Sequence, residues 1–413
     1  MAHPNPLKTL FFFFFLVVGS ASLTAQDNPY RFTFAPDLWY NDVDGIRIGI
    51  RTLGEVEGTF KDGPHRLDAG LWVGTWFPEL PVSYYFSFTE PIKAISDFGN
   101  EGSIQLISSI RDGYSAHRLQ FNKRWQAGFD ELNHNELSVY VSKEKLIEPD
   151  YRQYADFWNT NWKTLLGATY TISKNPSLGR FFGILKVEQS LISDPGSFTT
   201  GSINLIQRIN LNENFRFRLR GFFGYTNADN FSEYGFISSM ESPQYWINRG
   251  IPRSKGSVPS PWFTNGLFQI SGGPNLRGYL KRDIRELEAG GNPFYTSIGA
   301  LNTEIEFPNP VNNWVKNISI VGDLTELRSY LFADLGIPFA EKEVGTTITN
   351  QISTLFADAG IGLQLSFNIP DYLGKDRGIF IRYDVPFWLS DPELGESNFS
   401  FRQLIGLGAI ISF

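Results

Sequence analysis

The sequence predicts an all-β chain, a transmembrane antiparallel β-barrel, and three observations predict it. Apolar and polar residues alternate with period two in segment after segment, with no window of about 18 apolar residues anywhere beyond Gln26. Aromatic residues make up 15% of a chain that is still 19% charged and has a mean hydropathy of −0.19. A strand with lipid on one face and water on the other meets both demands at once, because the two faces average out along the chain. Short turn-rich links alternate with long ones, the turn-and-loop asymmetry of an outer-membrane barrel.

Residues 1–25 read as a secretory signal. Lys8 is its basic part, Leu10 to Val18 an apolar run too short to cross a bilayer, and small residues continue to Ala25. A membrane anchor would need roughly twenty apolar residues. Residues 26–44 form a short N-terminal segment or the first strand, placed between Arg31 and Tyr40, and 45–413 are the barrel. In Asn161 to Ile172, Trp162, Leu166, Ala168, Tyr170 and Ile172 share one face, opposite Lys163, Gly167 and Thr169. Phe215, Phe217, Leu219, Phe223 and Tyr225 oppose Arg216, Arg218 and Arg220 in the same way. Further strands start at Arg66, Val82, Ser103, Tyr114, Glu136, Arg180, Phe198, Ala300, Ser329, Thr354 and Gly378. The last strand carries Ile405, Leu407, Ala409, Ile411 and Phe413 against Arg402, Gly406, Gly408 and Ser412. The links at 174–177 and 212–214 are short, whereas those at 145–160 and 227–262 are long. A soluble β-sandwich is the competing architecture, but it has no need of so many rings on outward faces.

Function classes narrow in turn. The chain has no Cys, which excludes disulfides, thiolate metal sites and Cys nucleophiles. A net charge of −7 gives no electrostatic reason to expect nucleic acid. None of the four His residues has metal-ligand spacing to another, and no Gly-x-Ser-x-Gly elbow is present, so no cofactor or metal is expected and the chain does not read as an enzyme. A spatial Ser-His-Asp arrangement or lipase-type site around His117 stays open, since triads are not sequential. Arg216, Arg218 and Arg220 are either lumen charges balanced by Glu304, Glu306 and Asp384 or a stripe selecting anionic solutes.

The tract Gly272-Gly273-Pro274-Asn275-Leu276-Arg277-Gly278-Tyr279 sets one arginine among turn-forming residues between two alternating segments. It resembles the Arg-Gly-aromatic loop of the bacterial surface-antigen barrels, the superfamily of outer-membrane assembly factors and two-partner-secretion transporters. Leu301 to Pro308, Leu331 to Gly336, Ala359 to Gln364 and Arg382 to Phe387 are similar to the strands that follow that loop, in the same order. The resemblance covers about residues 265–413. It implies sixteen strands, with the sixth extracellular loop folded into the lumen to meet a Phe-x-Asp strand. Side-chain parity agrees: with Leu331, Ala333 and Leu335 outward, Tyr330, Phe332 and Asp334 face the lumen, as do Glu304 and Glu306. Arg277 is then expected to pair with Asp334, with Asp358 or Glu304 as rivals, and Gly278 to lie against the wall. Tyr279 is expected near Phe332. Gly408, Ile411 and Phe413 make the C-terminal assembly signal, although the family tends to place an aromatic where Ile411 stands. Residues 26–44 are too few for the family's periplasmic POTRA domains.

The leading expectation is an outer-membrane barrel that inserts or translocates protein or lipid together with a separate periplasmic or surface partner. Its surroundings would be outer-membrane lipid, and the barrel assembly machinery during its own biogenesis. A non-transporting anchor or scaffold for a partner, and an outer-membrane enzyme with a rim or lumen site, are the alternatives.

Overall fold

Strict alternation of apolar and polar side chains lets each strand show one face to each environment, and the chain uses this along a single sheet. The structure, a computed structural model, describes residues 30–410 apart from 42–44, 57–65, 77–81, 98, 129, 131, 195, 229–230, 247–254, 257, 312–316, 318–323, 342–354 and 371–375. The strands are β1 (Tyr30–Asn41), β2 (Gly45–Val56), β3 (Arg66–Gly74), β4 (Val82–Pro91), β5 (Gly102–Arg111), β6 (Tyr114–Gln126), β7 (His134–Leu146), β8 (Lys163–Lys174) and β9 (Phe181–Ile192). They continue as β10 (Thr199–Asn210), β11 (Arg216–Thr226), β12 (Phe236–Ile237), β13 (Phe268–Gln269), β14 (Phe294–Phe307), β15 (Thr325–Glu341), β16 (Phe356–Pro370), β17 (Asp376–Leu389) and β18 (Leu404–Ile410).

Among the described residues there are eighteen strands against the sixteen expected. The difference lies in β12 and β13, each two residues long and both within the link from β11 to β14; setting them aside leaves sixteen long strands. Such short strands carry no readable periodicity. The long strands pair antiparallel with their neighbours in sequence from β1 to β11, then β11 with β14 and onward to β18. Most of the strand starts fall within about two residues of the sequence reading, but two differ by more: β14 begins at Phe294 rather than Ala300, and β15 at Thr325 rather than Ser329.

The exterior is apolar. Leu38, Ile50, Leu119, Val141, Leu185, Val187, Leu205, Leu301, Leu331 and Ile381 are all exposed on it, a larger apolar band than a water-facing surface ordinarily shows. No helix among the described residues is long and apolar enough to cross a membrane. The sheet curls around the β11–β14 link, which reaches the inner faces of β7, β8, β9, β15 and β17 alike.

The edges of the sheet are β1 and β18, and no register joins them among the described residues. Pro36 sits midway along β1, opposite Ile50 of β2. Proline has no N–H to give a ladder and is confined to edge strands, with the missing donor on the free side. The edge of β18 is covered in part from within, because β13 pairs with it in parallel, Phe268 opposite Ile405 and Gln269 opposite Gly406. Ile405 N–H donates to the Leu267 carbonyl at 2.6 Å.

Candidate functional site

The β11–β14 link turns back on itself at Gly273 and Asn275, with φ of +55° and +61° in the left-handed region that favours Gly and tolerates Asn. Leu276 N–H donates to the Ser238 carbonyl at 3.0 Å, and a 3₁₀ turn over Arg277–Tyr279 leads into the helix Leu280–Glu288. Asp283 on that helix accepts from Ser238 Oγ at 2.6 Å and Ser239 N–H at 3.0 Å. Its burial pushes the carboxyl above the ordinary range, against the pull of Arg282 and the two serines. These bonds aim Arg277 at the barrel wall.

Arg277 is 1% exposed and fully engaged. Its Nε donates to Asp334 Oδ2 at 2.8 Å and its Nη2 to Asp334 Oδ1 at 2.9 Å, a two-pronged pairing, while Nη1 donates to Glu304 Oε1 at 3.0 Å. Asp384 Oδ2 lies 3.9 Å from Nη1. The guanidinium plane rests 3.8 Å from the Phe332 ring centre, a cation–π contact in a dry setting. Phe332 and Asp334 both face inward because they are two apart on β15, and Glu304 opposes Phe332 across the β14–β15 register.

The remaining residues singled out from sequence take different places. Asp358 is opposite Asp334 on β16 and does not hold the guanidinium; it accepts the Gly278 N–H at 3.1 Å. A Cβ on Gly278 would meet Asp358 Cβ at 2.8 Å and run into Leu389, so no other residue fits without displacing the wall. Tyr279 does not pack beside Phe332. The guanidinium covers that ring, and Tyr279 packs instead against Phe356, the rings tilted with centres 5.0 Å apart, its hydroxyl donating to the Ala357 carbonyl at 3.1 Å. Gly408 stands opposite Phe380 in β18, whereas Ile411 and Phe413 lie outside the described residues, as does the segment 1–25.

The arginine ladder on β11 is spent on structure. Arg218 pairs with Glu304 at 3.3 Å, Arg216 lies 4.0 Å from Glu306, and Arg220 donates to Asn204, Asn302 and the Gly273 carbonyl at 2.8, 2.7 and 2.6 Å. Several neighbours of the arginine were not legible from spacing. Tyr330 donates to Asp384 at 2.6 Å, Arg382 lies 2.8 Å from the same carboxylate, and Arg382 also donates to Gln269 of β13, whose amide donates to the Ser239 carbonyl at 2.5 Å.

A second polar belt ties the link to the opposite wall. Lys163 and Glu233 form an ion pair at 3.0 Å with side chains 1% and 0% exposed. Burial raises the Glu233 carboxyl above its ordinary value, more than Lys163 lowers it. Tyr234 donates to Glu144 at 2.5 Å, and Gln244 donates to Tyr114 and Glu144, both at 3.0 Å. Above this belt Trp158, Ile237, Trp246, Phe263, Phe268 and Phe294 pack into an apolar mass at the long-link end. The lumen is filled there.

His117 lies elsewhere. It is on the outward face of β6 with Leu119, and its Nδ1 is 2.9 Å from Ser108 Oγ and its Nε2 3.0 Å from Ser115 Oγ. Ser108 Oγ is in turn 2.9 Å from the Tyr84 hydroxyl, and Lys143 stands opposite His117 on β7. Among the described residues no group of His, Asp and Glu is placed to hold a metal ion.

No protein-family model matches the chain, and no curated protein matches it. Among solved structures it is similar to the crystal structure of BamA from Haemophilus ducreyi lacking POTRA domains 1-3, at 14% identity, 93% of this chain, 71% of that one and a TM-score of 0.46. It is also similar to OccK11 (OpdR) of Pseudomonas aeruginosa, at 11% identity, 92% of this chain, 94% of that one and a TM-score of 0.27.

Proposed function

We propose that the chain is an outer-membrane barrel that hands membrane-bound polypeptide strands through the seam between β1 and β18, working with a separate recruiting partner. The observation that carries this reading is the seam itself. Among the described residues β1 has a register with β2 alone and is interrupted by Pro36, and the edge of β18 is held by a two-residue strand of the chain's own inward link. Unpaired backbone edges in hydrocarbon are costly, so a seam left this way is suited to a strand that arrives and pairs. A lumen filled at the long-link end does not suit free diffusion of solutes, which favours sideways exchange over conduction.

The test is depletion in the native host combined with a photo-crosslinker at Thr33, an exposed position of β1. Depletion is expected to lower the folded fraction of outer-membrane barrels, and Thr33 to capture such a polypeptide before it has folded. Unchanged folded-barrel levels after depletion would overturn the reading. A barrel serving only as an anchor would show a stoichiometric partner and no effect on other membrane proteins.

A second reading, an esterase acting on membrane lipids, is favoured by the Ser115–His117–Ser108 chain on the outward face. Ser115 Oγ would attack an ester carbonyl while His117 Nε2 takes its proton; the alcohol leaves with that proton, and water then releases the acyl group. Lys143, opposite His117 on β7, would have to leave the Trp162 ring to face the developing oxyanion. Purified barrel is then expected to hydrolyse a diacyl phospholipid in mixed micelles, and Ser115→Ala or His117→Ala to abolish this. Absence of hydrolysis by the unaltered chain removes the enzyme reading.

A further inference from the structure

Three arginines stand abreast on the inner face of the sheet at the end that carries the short links. Arg208 of β10 is directly opposite Arg218 of β11, and on its other side Arg208 N–H donates to the carbonyl of Arg180, at the entry to β9, at 2.8 Å. Like charges on directly opposed positions repel, so such a row persists only where something else compensates. Arg218 is compensated by Glu304 at 3.3 Å. Arg180 and Arg208 are not: among the described residues no carboxylate pairs with either guanidinium. Glu306 acts on Arg208 with opposite charge but is already held by Arg328, while Arg180, Arg218 and Arg328 all act on Arg208 with like charge.

The two unpaired arginines line a cavity of ≈ 260 Å³ together with Phe182 and Ile206. Phe182 is two residues beyond Arg180 on β9 and Ile206 two residues before Arg208 on β10, so both apolar side chains face inward one step deeper into the barrel. The cavity thus has a cationic lip at the end of the barrel and an apolar back.

We propose that this cavity binds a phosphate monoester or diester carrying an apolar substituent. Neighbouring strands lie about 5 Å apart, so two arginines that line one cavity can both turn to a tetrahedral phosphate, which has oxygens to give to each fork. A carboxylate has two oxygens, and one arginine in two-pronged contact uses both. The volume is a little under the roughly 300–1,000 Å³ of small-molecule sites, so it takes a headgroup and the first part of an apolar chain. The same chemistry is offered by a phospholipid of the adjoining leaflet and by a soluble phosphoester.

The experiment uses the whole barrel in detergent micelles, titrated calorimetrically with n-hexyl phosphate, inorganic phosphate, n-hexanol and a glutamate-rich peptide. Hexyl phosphate is expected to bind most tightly, and hexanol not at all. The double variant Arg180→Gln/Arg208→Gln should weaken hexyl phosphate by about tenfold or more, since hydrogen bonds to charged groups are lost. Phe182→Ala should weaken hexyl phosphate and leave inorganic phosphate unchanged. Intact folding of each variant is read from heat-modifiable mobility in gels. Native mass spectrometry from nanodiscs containing phosphatidylglycerol distinguishes the source: a lipid retained by the unaltered chain and lost in the double variant marks a membrane ligand. No retention together with hexyl phosphate binding marks a soluble one. Equal affinity in the double variant, no binding of hexyl phosphate, or binding of the acidic peptide alone overturns the proposal.

Discussion

Arg277→Ala is expected to loosen the inward link and raise ion conductance in planar bilayers. The substitution leaves Asp334 with no cation and removes one of the two that hold Glu304, in a site where Asp334 is 2% and Glu304 8% exposed. Breaking a buried pair from one side costs about 3–5 kcal/mol, most of it the penalty of the stranded charge. Arg218 still neutralises Glu304 at 3.3 Å, so the loss concentrates on Asp334 and on the Gly278 contact that Asp358 makes beside it. Arg277→Lys should recover part of the effect, because an ammonium restores the charge but not the two-pronged fork or the flat contact with Phe332. Conductance and melting temperature both unchanged in Arg277→Ala would show that the arginine does not hold the link in place.

Lys163→Met is expected to be of similar size, at about 3–5 kcal/mol, because it strands Glu233 in a fully buried position. Replacing both partners, Lys163→Met with Glu233→Leu, should restore most of the stability, since a buried ion pair is often matched by apolar residues of similar volume. The pH dependence has a definite sign. The Glu233 carboxyl is raised in the folded chain, so its contribution is fully present below the unfolded value of about 4.3 and is lost as pH rises through the folded value. Melting measured across mildly acid to neutral pH should therefore fall on the alkaline side, and Glu233→Gln should flatten that fall. A pH profile identical in Glu233→Gln would assign the dependence to another group.

Parity was a reliable guide wherever a strand runs without a bulge. From Gly299 to Phe307 the β14–β15 register is unbroken, which is why Glu304, Phe332 and Asp334 could be turned inward from the sequence. At Tyr295 and Ser297 the register shifts, and there the start of β14 was misread. The partners of Tyr279 and Asp358 were assigned differently by the structure because one guanidinium covers one ring and fills one carboxylate, and the next residues along must take the neighbours that remain. Gln269 and Ser239 were invisible because they lie in a link whose path is set by packing and not by periodicity. The row Arg180, Arg208 and Arg218 escaped for another reason: each strand alone shows one or two ordinary inward charges, and only the registers across β9, β10 and β11 set them side by side.

Pro36 bears on how long anything could stay attached to the β1 edge. It divides the strand into Tyr30–Ala35 and Asp37–Asn41, and no hydrogen bond from its own nitrogen can link the two halves. A strand laid along that edge forms two short ladders that make and break separately, so detachment needs the rupture of one half at a time. Short ladders unzip with small barriers. An uninterrupted edge of the same length would hold its occupant for far longer, and Pro36→Val would be the direct way to lengthen that residence.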